Sequence, residues 1–203
     1  MIALLLCALL ASRAAQAKAP LDVVVMVDVS HSVTFGLVKR DRTLLHDAGI
    51  ALAGAIQSGD AARIGTFGDT IVLDRGRLRD AAAIRSAADG LGERIGGASP
   101  IWDALVTAAS ALADGSGRRG IVLVTDGRST GNRIGFAEAL DRLQRARIPV
   151  FVVSLDKSDR PLPDPGARLV KLAQATGGDC LFVDRPVMGA AIGRAVRALR
   201  AHP

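Results

Sequence analysis

Three short and nearly continuous apolar runs constrain the fold of this chain more than any other feature. They cover residues 21–27, 120–124 and 149–155, with the sequences LDVVVMV, GIVLV and PVFVVSL. A strand with one exposed face alternates apolar and polar residues, whereas a strand buried on both faces is apolar throughout. The three runs therefore predict strands of a parallel sheet that is covered by helices on both sides.

Three more strands are predicted from shorter signals. Residues 62–67 form another apolar run, and the pair Gly68-Asp69 separates it from residues 71–73. A Gly-Asp pair between two apolar runs is typical of a hairpin turn, so residues 71–73 are predicted to form a short antiparallel edge strand. Residues 180–183 predict a sixth strand.

Helical patterns fill the intervals between these strands. The predicted segments are 35–57, 78–90, 99–113, 133–147, 167–174 and 187–199. Strands that alternate with helices form an open α/β sheet, and right-handed crossovers leave few topologies for it. We therefore predict a doubly wound, mostly parallel, six-stranded sheet with one short antiparallel edge strand and helices on both faces.

The first residues of the chain are predicted to be a secretory signal peptide. Residues 2–12 are apolar, but a helix that spans a bilayer takes about 20 such residues. The small residues of Ala15-Gln16-Ala17 fit a cleavage site. We therefore expect residues 1–17 to direct export, to a periplasm or out of the cell. Residues 18–203 would then form a single domain without an integral membrane segment.

Composition limits the class of partner. The 203 residues include 26 Lys and Arg and 20 Asp and Glu, which gives a net charge of +6, but only five Phe, one Trp and no Tyr. The basic residues are spread along the chain rather than gathered in an arm, and few aromatic side chains exist to stack on bases. We expect no nucleic-acid partner and a weak attraction to acidic surfaces.

Polar residues follow two of the buried strands at the point where each strand ends. Asp28, Ser30 and Ser32 follow the first run, and Asp126 follows the run at 120–124. Ser99 stands where a helix is predicted to begin, after two glycines. Ligands of open α/β sheets bind at the carboxyl ends of the strands, so we expect these side chains to converge there.

This predicted set of two carboxylates and three hydroxyls offers oxygen atoms alone. Such a set suits Mg²⁺, or else Mn²⁺ or Ca²⁺, and the sequence holds no His or Cys cluster for zinc. A cation held largely by neutral hydroxyls keeps much of its positive charge. It would therefore attract an Asp or Glu carboxylate of another protein.

The motif Asp28-x-Ser30-x-Ser32, together with Thr125-Asp126-Gly127 and a glycine-rich turn before a helix, resembles the von Willebrand factor type A (VWA) domain and its metal-ion-dependent adhesion site. The resemblance extends over residues 20–200. It implies that Ser30 and Ser32 bind a cation directly, that the middle motif adds a hydroxyl ligand, and that Asp28 and Asp126 act through water.

The middle motif departs from the family pattern, which usually reads Gly-Gly-Thr, an apolar pair and then Asp-Ala-Leu. Residues 96–105 read GGASPIWDAL. Alignment on Asp103 puts Ser99 at the threonine position and keeps a hydroxyl ligand, whereas the other alignment puts Ala98 there and removes it. A third interpretation is that Ser99 only caps the following helix.

We therefore predict an exported binding module, not an enzyme, that uses a divalent metal to bind an acidic residue of a partner protein. Two alternatives stay open at this point. One is a metal-dependent hydrolase in which the same ion activates water, although His31 is the only histidine near the motif to serve as a base. The other is a metal-free scaffold that binds proteins through its helix faces.

Overall fold

The computed structural model describes residues 19–34, 43–74, 76–91, 96–115, 117–155 and 165–202. The predicted signal peptide at residues 1–17 lies outside the described residues. The same is true of residues 35–42, where the first long helix was predicted to begin.

Six strands form one sheet. In chain order they are β1 (Leu21–Asp28), β2 (Ala61–Phe67), β3 (Ile71–Leu73), β4 (Arg118–Thr125), β5 (Val150–Ser154) and β6 (Cys180–Phe182). The order across the sheet is β3-β2-β1-β4-β5-β6. β3 pairs antiparallel with β2, and the other neighbouring strands are parallel. The predicted sheet, including its short antiparallel edge strand, is confirmed.

The described helices follow the strands in the predicted alternation. They are α1 (His31–Thr34), α2 (Thr43–Ala55), α3 (Ala81–Gly90), α4 (Ile101–Ala111), α5 (Phe136–Ala146), α6 (Pro165–Ala175) and α7 (Met188–Ala201), and a 3₁₀ turn at Arg185–Val187 precedes the last. α3 begins later than predicted because Leu78 forms a β-bridge with Ala62. The Asp80 carboxylate then caps the helix by accepting the Ala83 N–H at 2.8 Å.

Both faces of the sheet are buried, as the apolar runs predict. Val23, Val25 and Val27 of β1 belong to one core cluster, together with residues of α2, α3 and α7. Val24 and Met26 belong to a second cluster, with residues of α4, α5 and α6. Successive side chains of a strand point to opposite faces, so a strand between two helical layers has to be apolar at nearly every position.

The strand order reverses between β1 and β4. From β1 the chain builds outward through β2 to β3, and from β4 it builds the other way through β5 to β6. The two central strands pair in a register that joins Val27 to Val124, directly before Asp28 and Thr125. The loops after β1 and β4 therefore leave the sheet at its switch point, where open α/β sheets bind ligands.

Candidate metal centre

Asp28 is the centre of the site and is fully buried at the end of β1. Its Oδ1 accepts the Ser30 N–H at 2.9 Å. Its Oδ2 accepts the Ser99 hydroxyl at 2.8 Å and the Thr125 hydroxyl at 2.6 Å. One carboxylate thus gathers residues that lie 71 and 97 positions away in the chain.

Burial raises the pKa of Asp28, because desolvation penalises its charged form. Hydrogen bonds from Ser30, Thr125 and Ser99 act in the opposite direction and lower the pKa. These bonds compensate the buried carboxylate for part of the water that it has lost.

The hydroxyls of Ser30 and Ser32 lie beside each other, with their Oγ atoms 3.4 Å apart. Ser30 is buried and Ser32 is half-buried. The Ser30 carbonyl accepts both the N–H and the hydroxyl of Thr34, at 3.1 and 2.8 Å, which closes the single turn of α1. The turn therefore keeps the hydroxyls of Ser30 and Ser32 side by side, next to Asp28.

A glycine turn brings the middle motif against this loop. Gly96 and Gly97 have φ angles of +123° and +81°, and the Gly97 carbonyl accepts the His31 N–H at 3.2 Å. A Cβ on Gly97 would lie 1.6 Å from Asp69 Oδ1, so the turn has room for glycine alone. The close approach of the two loops therefore requires Gly97, whereas Gly96 is favoured by its positive φ angle alone.

The geometry distinguishes Ser99 from Ala98. The Ser99 hydroxyl reaches Asp28, whereas the Ala98 N–H faces Asp69 Oδ1 at 3.4 Å. The residue at the N-cap of α4 is Pro100, which makes no side-chain hydrogen bond to the helix, and the Ser99 hydroxyl donates to Asp28 instead. The Ser99 side chain is therefore used at the Asp28 cluster and not as a helix cap.

Asp126 is oriented by its own loop. Its Oδ1 accepts the Arg128 N–H at 3.0 Å, and its Oδ2 lies 3.8 Å from Arg128 Nε. Its side chain is 13% exposed. The hydrogen bonds that gather the other four predicted residues do not include Asp126, which stands at the end of the neighbouring strand.

A cavity of about 370 Å³ opens over the hydroxyls. Its lining residues are Ser30, His31, Ser32, Gly97, Ser99, Arg128 and Thr130. Among the described residues no three His, Cys, Asp or Glu cluster so as to hold an ion. The oxygen-only donor set, with two carboxylates close by, fits a hard ion such as Mg²⁺ that keeps bound waters.

The sequence of residues 23–128, more than half of the chain, matches the von Willebrand factor type A domain. The chain belongs to the VWA family. No curated protein sequence is significantly similar to it.

Several solved structures have a similar fold. An aerotolerance-related membrane protein of Bacteroides fragilis is 17% identical with a TM-score of 0.62, over 88% of this chain and 99% of that one. Proximal thread matrix protein 1 of the mussel byssus is 14% identical with a TM-score of 0.73, over 90% and 47%. The vWF domain of the type V pili tip protein Mfa5 of Porphyromonas gingivalis is 11% identical with a TM-score of 0.64, over 91% and 96%.

In the described part of this VWA domain, no helix has the length and apolar character that crossing a membrane requires.

Two residues of the site were not found from the sequence. Thr130 exchanges two hydrogen bonds with Ser99, since its Oγ1 accepts the Ser99 N–H and its own N–H donates to the Ser99 carbonyl, both at 2.9 Å. Arg128 lines the cavity beside it. Neither residue belongs to a spaced motif, and only their place in the loop after β4 could have suggested them.

The start of α4 is tied to that same loop of the VWA domain. The Trp102 N–H donates to Asn132 Oδ1 at 2.8 Å. The Asp103 carboxylate accepts the N–H groups of Arg133 and Ile134, at 2.9 and 3.1 Å. Asp103 is thus a structural acid, and these bonds hold the middle motif at a set distance from the loop that carries Asp126.

Proposed function

We propose that this VWA domain is an exported binding module that binds an acidic residue of a partner protein through a divalent cation. Ser30, Ser32 and Ser99 would hold the cation through hydroxyl oxygens, and Asp28 and Asp126 would balance its charge. Mg²⁺ is the expected ion, with Mn²⁺ and Ca²⁺ as alternatives. The observation that carries the proposal is the buried hydrogen bond from Ser99 to Asp28, next to the paired serine hydroxyls under an open cavity.

The donor chemistry explains why such a site would bind rather than react. When bound, the cation supplies a positive charge that three neutral hydroxyls do not cancel. Asp28 and Thr130 hold Ser99 in place, because Asp28 accepts its hydroxyl and Thr130 accepts its backbone N–H. His31 lines the cavity and is exposed, so the described lining offers no buried base for activating water.

Two comparisons support a role outside the cytoplasm. One structurally similar chain is the vWF domain of a pili tip protein, and another is a membrane protein. Residues 1–17 would supply the export signal for this chain. We accordingly place the module in the periplasm or outside the cell, where it would bind another protein.

The proposal is tested by titrating Mg²⁺ and Mn²⁺ into the protein by calorimetry and following thermal unfolding in parallel. We expect the parent to bind one ion and to become more stable. Ser99→Ala and Asp126→Asn should weaken binding by about 10- to 100-fold. Ser110→Ala and Asp141→Asn are matched controls, because both residues lie on helix surfaces away from the cavity.

Unchanged binding in Ser99→Ala and Asp126→Asn would contradict the proposed site. A parent protein that binds none of Mg²⁺, Mn²⁺ and Ca²⁺ would favour the metal-free scaffold. Metal-dependent turnover of phosphate or peptide esters that disappears in Asp126→Asn would favour the hydrolase.

A further inference from the structure

The lining of the cavity over the serine hydroxyls includes a positively charged side chain that the proposed function does not use. Arg128 lines the cavity with Ser30, Ser32 and Ser99. Its Nε lies 3.8 Å from Asp126 Oδ2. The Arg128 side chain is 47% exposed and that of Asp126 is 13% exposed. The guanidinium thus lies at the exposed mouth of the cavity, beside a carboxylate that is mostly buried.

Two separate interactions join Arg128 to Asp126. The backbone N–H of Arg128 donates to Asp126 Oδ1 at 3.0 Å, which any residue at position 128 except proline would do. The guanidinium adds a charge that faces Oδ2. A substitution of the side chain therefore leaves the carboxylate oriented and removes its counter-ion.

We propose that Arg128 is a counter-ion shared between two partners. It pairs with Asp126 when no cation is bound, and it pairs with the carboxylate of the partner protein when a cation is bound. This inference rests on the proposed function and adds to it the residue that favours an acidic ligand over a neutral one.

The electrostatics favour this exchange. A divalent cation beside Asp126 repels the guanidinium and competes with it for the same carboxylate. The existing pair is long and partly exposed, and such pairs are weak, so the guanidinium is readily displaced. Once displaced, it stays at the cavity mouth, where its planar fork of N–H donors matches a carboxylate that approaches from solvent.

The chain offers a matched control for the loss of charge. Arg142 of α5 is 51% exposed and pairs with Glu138 one helical turn away, at 2.5 Å. It does not line the cavity. Arg142→Gln therefore changes the net charge by the same amount as Arg128→Gln and removes a similar surface ion pair.

The first measurement is calorimetric titration of Mg²⁺ into the parent and both variants at low salt. We expect Arg128→Gln to bind Mg²⁺ about three- to tenfold more tightly than the parent, because a competing and repelling charge is gone. Arg142→Gln should stay within about twofold of the parent. The difference should shrink in concentrated KCl, since salt screens exposed charges.

The second measurement uses the Mg²⁺-saturated proteins and the capped peptide acetyl-Gly-Asp-Gly-amide, with binding followed by NMR chemical shifts. We expect Arg128→Gln to bind this peptide about three- to tenfold more weakly than the parent, and Arg128→Lys to fall between them. The peptide acetyl-Gly-Asn-Gly-amide should bind the parent more weakly than the Asp peptide does.

The shared role is overturned if Arg128→Gln binds Mg²⁺ no more tightly than the parent, or if it binds the Asp peptide equally well. Either result would leave the cation site itself intact. A parent and variants that all fail to bind Mg²⁺ would instead overturn the proposed function, and this inference with it.

Discussion

At the scale of single residues, the site depends on hydroxyls that donate hydrogen bonds to the buried carboxylate of Asp28. Thr125 is fully buried, donates to Asp28 at 2.6 Å and accepts the Gly127 N–H at 3.1 Å. One hydroxyl therefore links the ends of β1 and β4 and also closes the turn after β4. A side chain of the same shape without the hydroxyl would remove one hydrogen-bond partner from the Asp28 carboxylate and one from the Gly127 N–H.

Thr125→Val should lower the free energy of unfolding by about 1–3 kcal/mol, because it removes a donor from Asp28 and an acceptor from Gly127. Losing the Thr125 hydrogen bond should also raise the pKa of Asp28 further. Urea denaturation of the variant measures the effect. Thr125→Ser is the matched control, since it keeps the hydroxyl. Equal stability of Thr125→Val and the parent would show that the bond contributes nothing.

At the scale of the elements, the glycine turn before α4 decides whether the middle motif reaches Asp28. The turn has left-handed backbone angles, and its Gly97 carbonyl is bound to the loop after β1. Two residues later the Ser99 hydroxyl meets the carboxylate. A displacement of the turn would therefore be transmitted directly to the candidate ligand set.

Gly97→Ala should destabilise the protein and weaken Mg²⁺ binding together, because its Cβ would overlap Asp69 and its φ angle suits glycine. We expect a loss of more than about 1 kcal/mol in urea denaturation. Gly54→Ala is the control, because Gly54 lies inside α2 and a methyl group added there would meet no other atom within 4 Å. That variant should be slightly more stable than the parent. A Gly97→Ala protein that keeps the parent's stability and metal affinity would contradict this role of the turn.

At the scale of the whole molecule, a buried ion pair stabilises the end of the sheet that lies opposite the candidate site. Arg200 near the end of α7 pairs with Asp60, just before β2, and also donates to the Ala55 carbonyl at 3.0 Å. The Asp60 carboxylate accepts the N–H groups of Leu21 and Gln57, each at 2.9 Å. The pair therefore joins the last helix to the beginning of β1 and to the loop between α2 and β2.

Arg200→Ala should lower the free energy of unfolding by about 3–5 kcal/mol, because Asp60 would remain buried without its counter-ion. Mg²⁺ affinity should be unchanged at temperatures where the variant is folded, since the pair is at the other end of the sheet. Arg197→Ala, at an exposed position of the same helix, should change stability by less than about 0.5 kcal/mol. A loss in Arg200→Ala no greater than in this control would show that the pair does not hold α7.

The sequence by itself determined the sheet and the edge where the site would lie. Continuous apolar runs indicate burial on both faces, and the Gly-Asp pair indicates a hairpin. Both signals can be recognised in the sequence because each depends on a few adjacent residues. The end of a buried strand likewise marks the place of Asp28 and of Asp126 without knowledge of any distant contact.

Only the tertiary structure decided which side chains meet at that edge. In the structure the Ser99 hydroxyl contacts Asp28, Thr130 is hydrogen-bonded to Ser99, Arg128 lines the cavity, and the Thr125 hydroxyl donates to Asp28. Each of these facts depends on a hydrogen bond or an approach between loops that are far apart in the chain. Local periodicity carries no information on such contacts, because they are set by how the strands and helices pack.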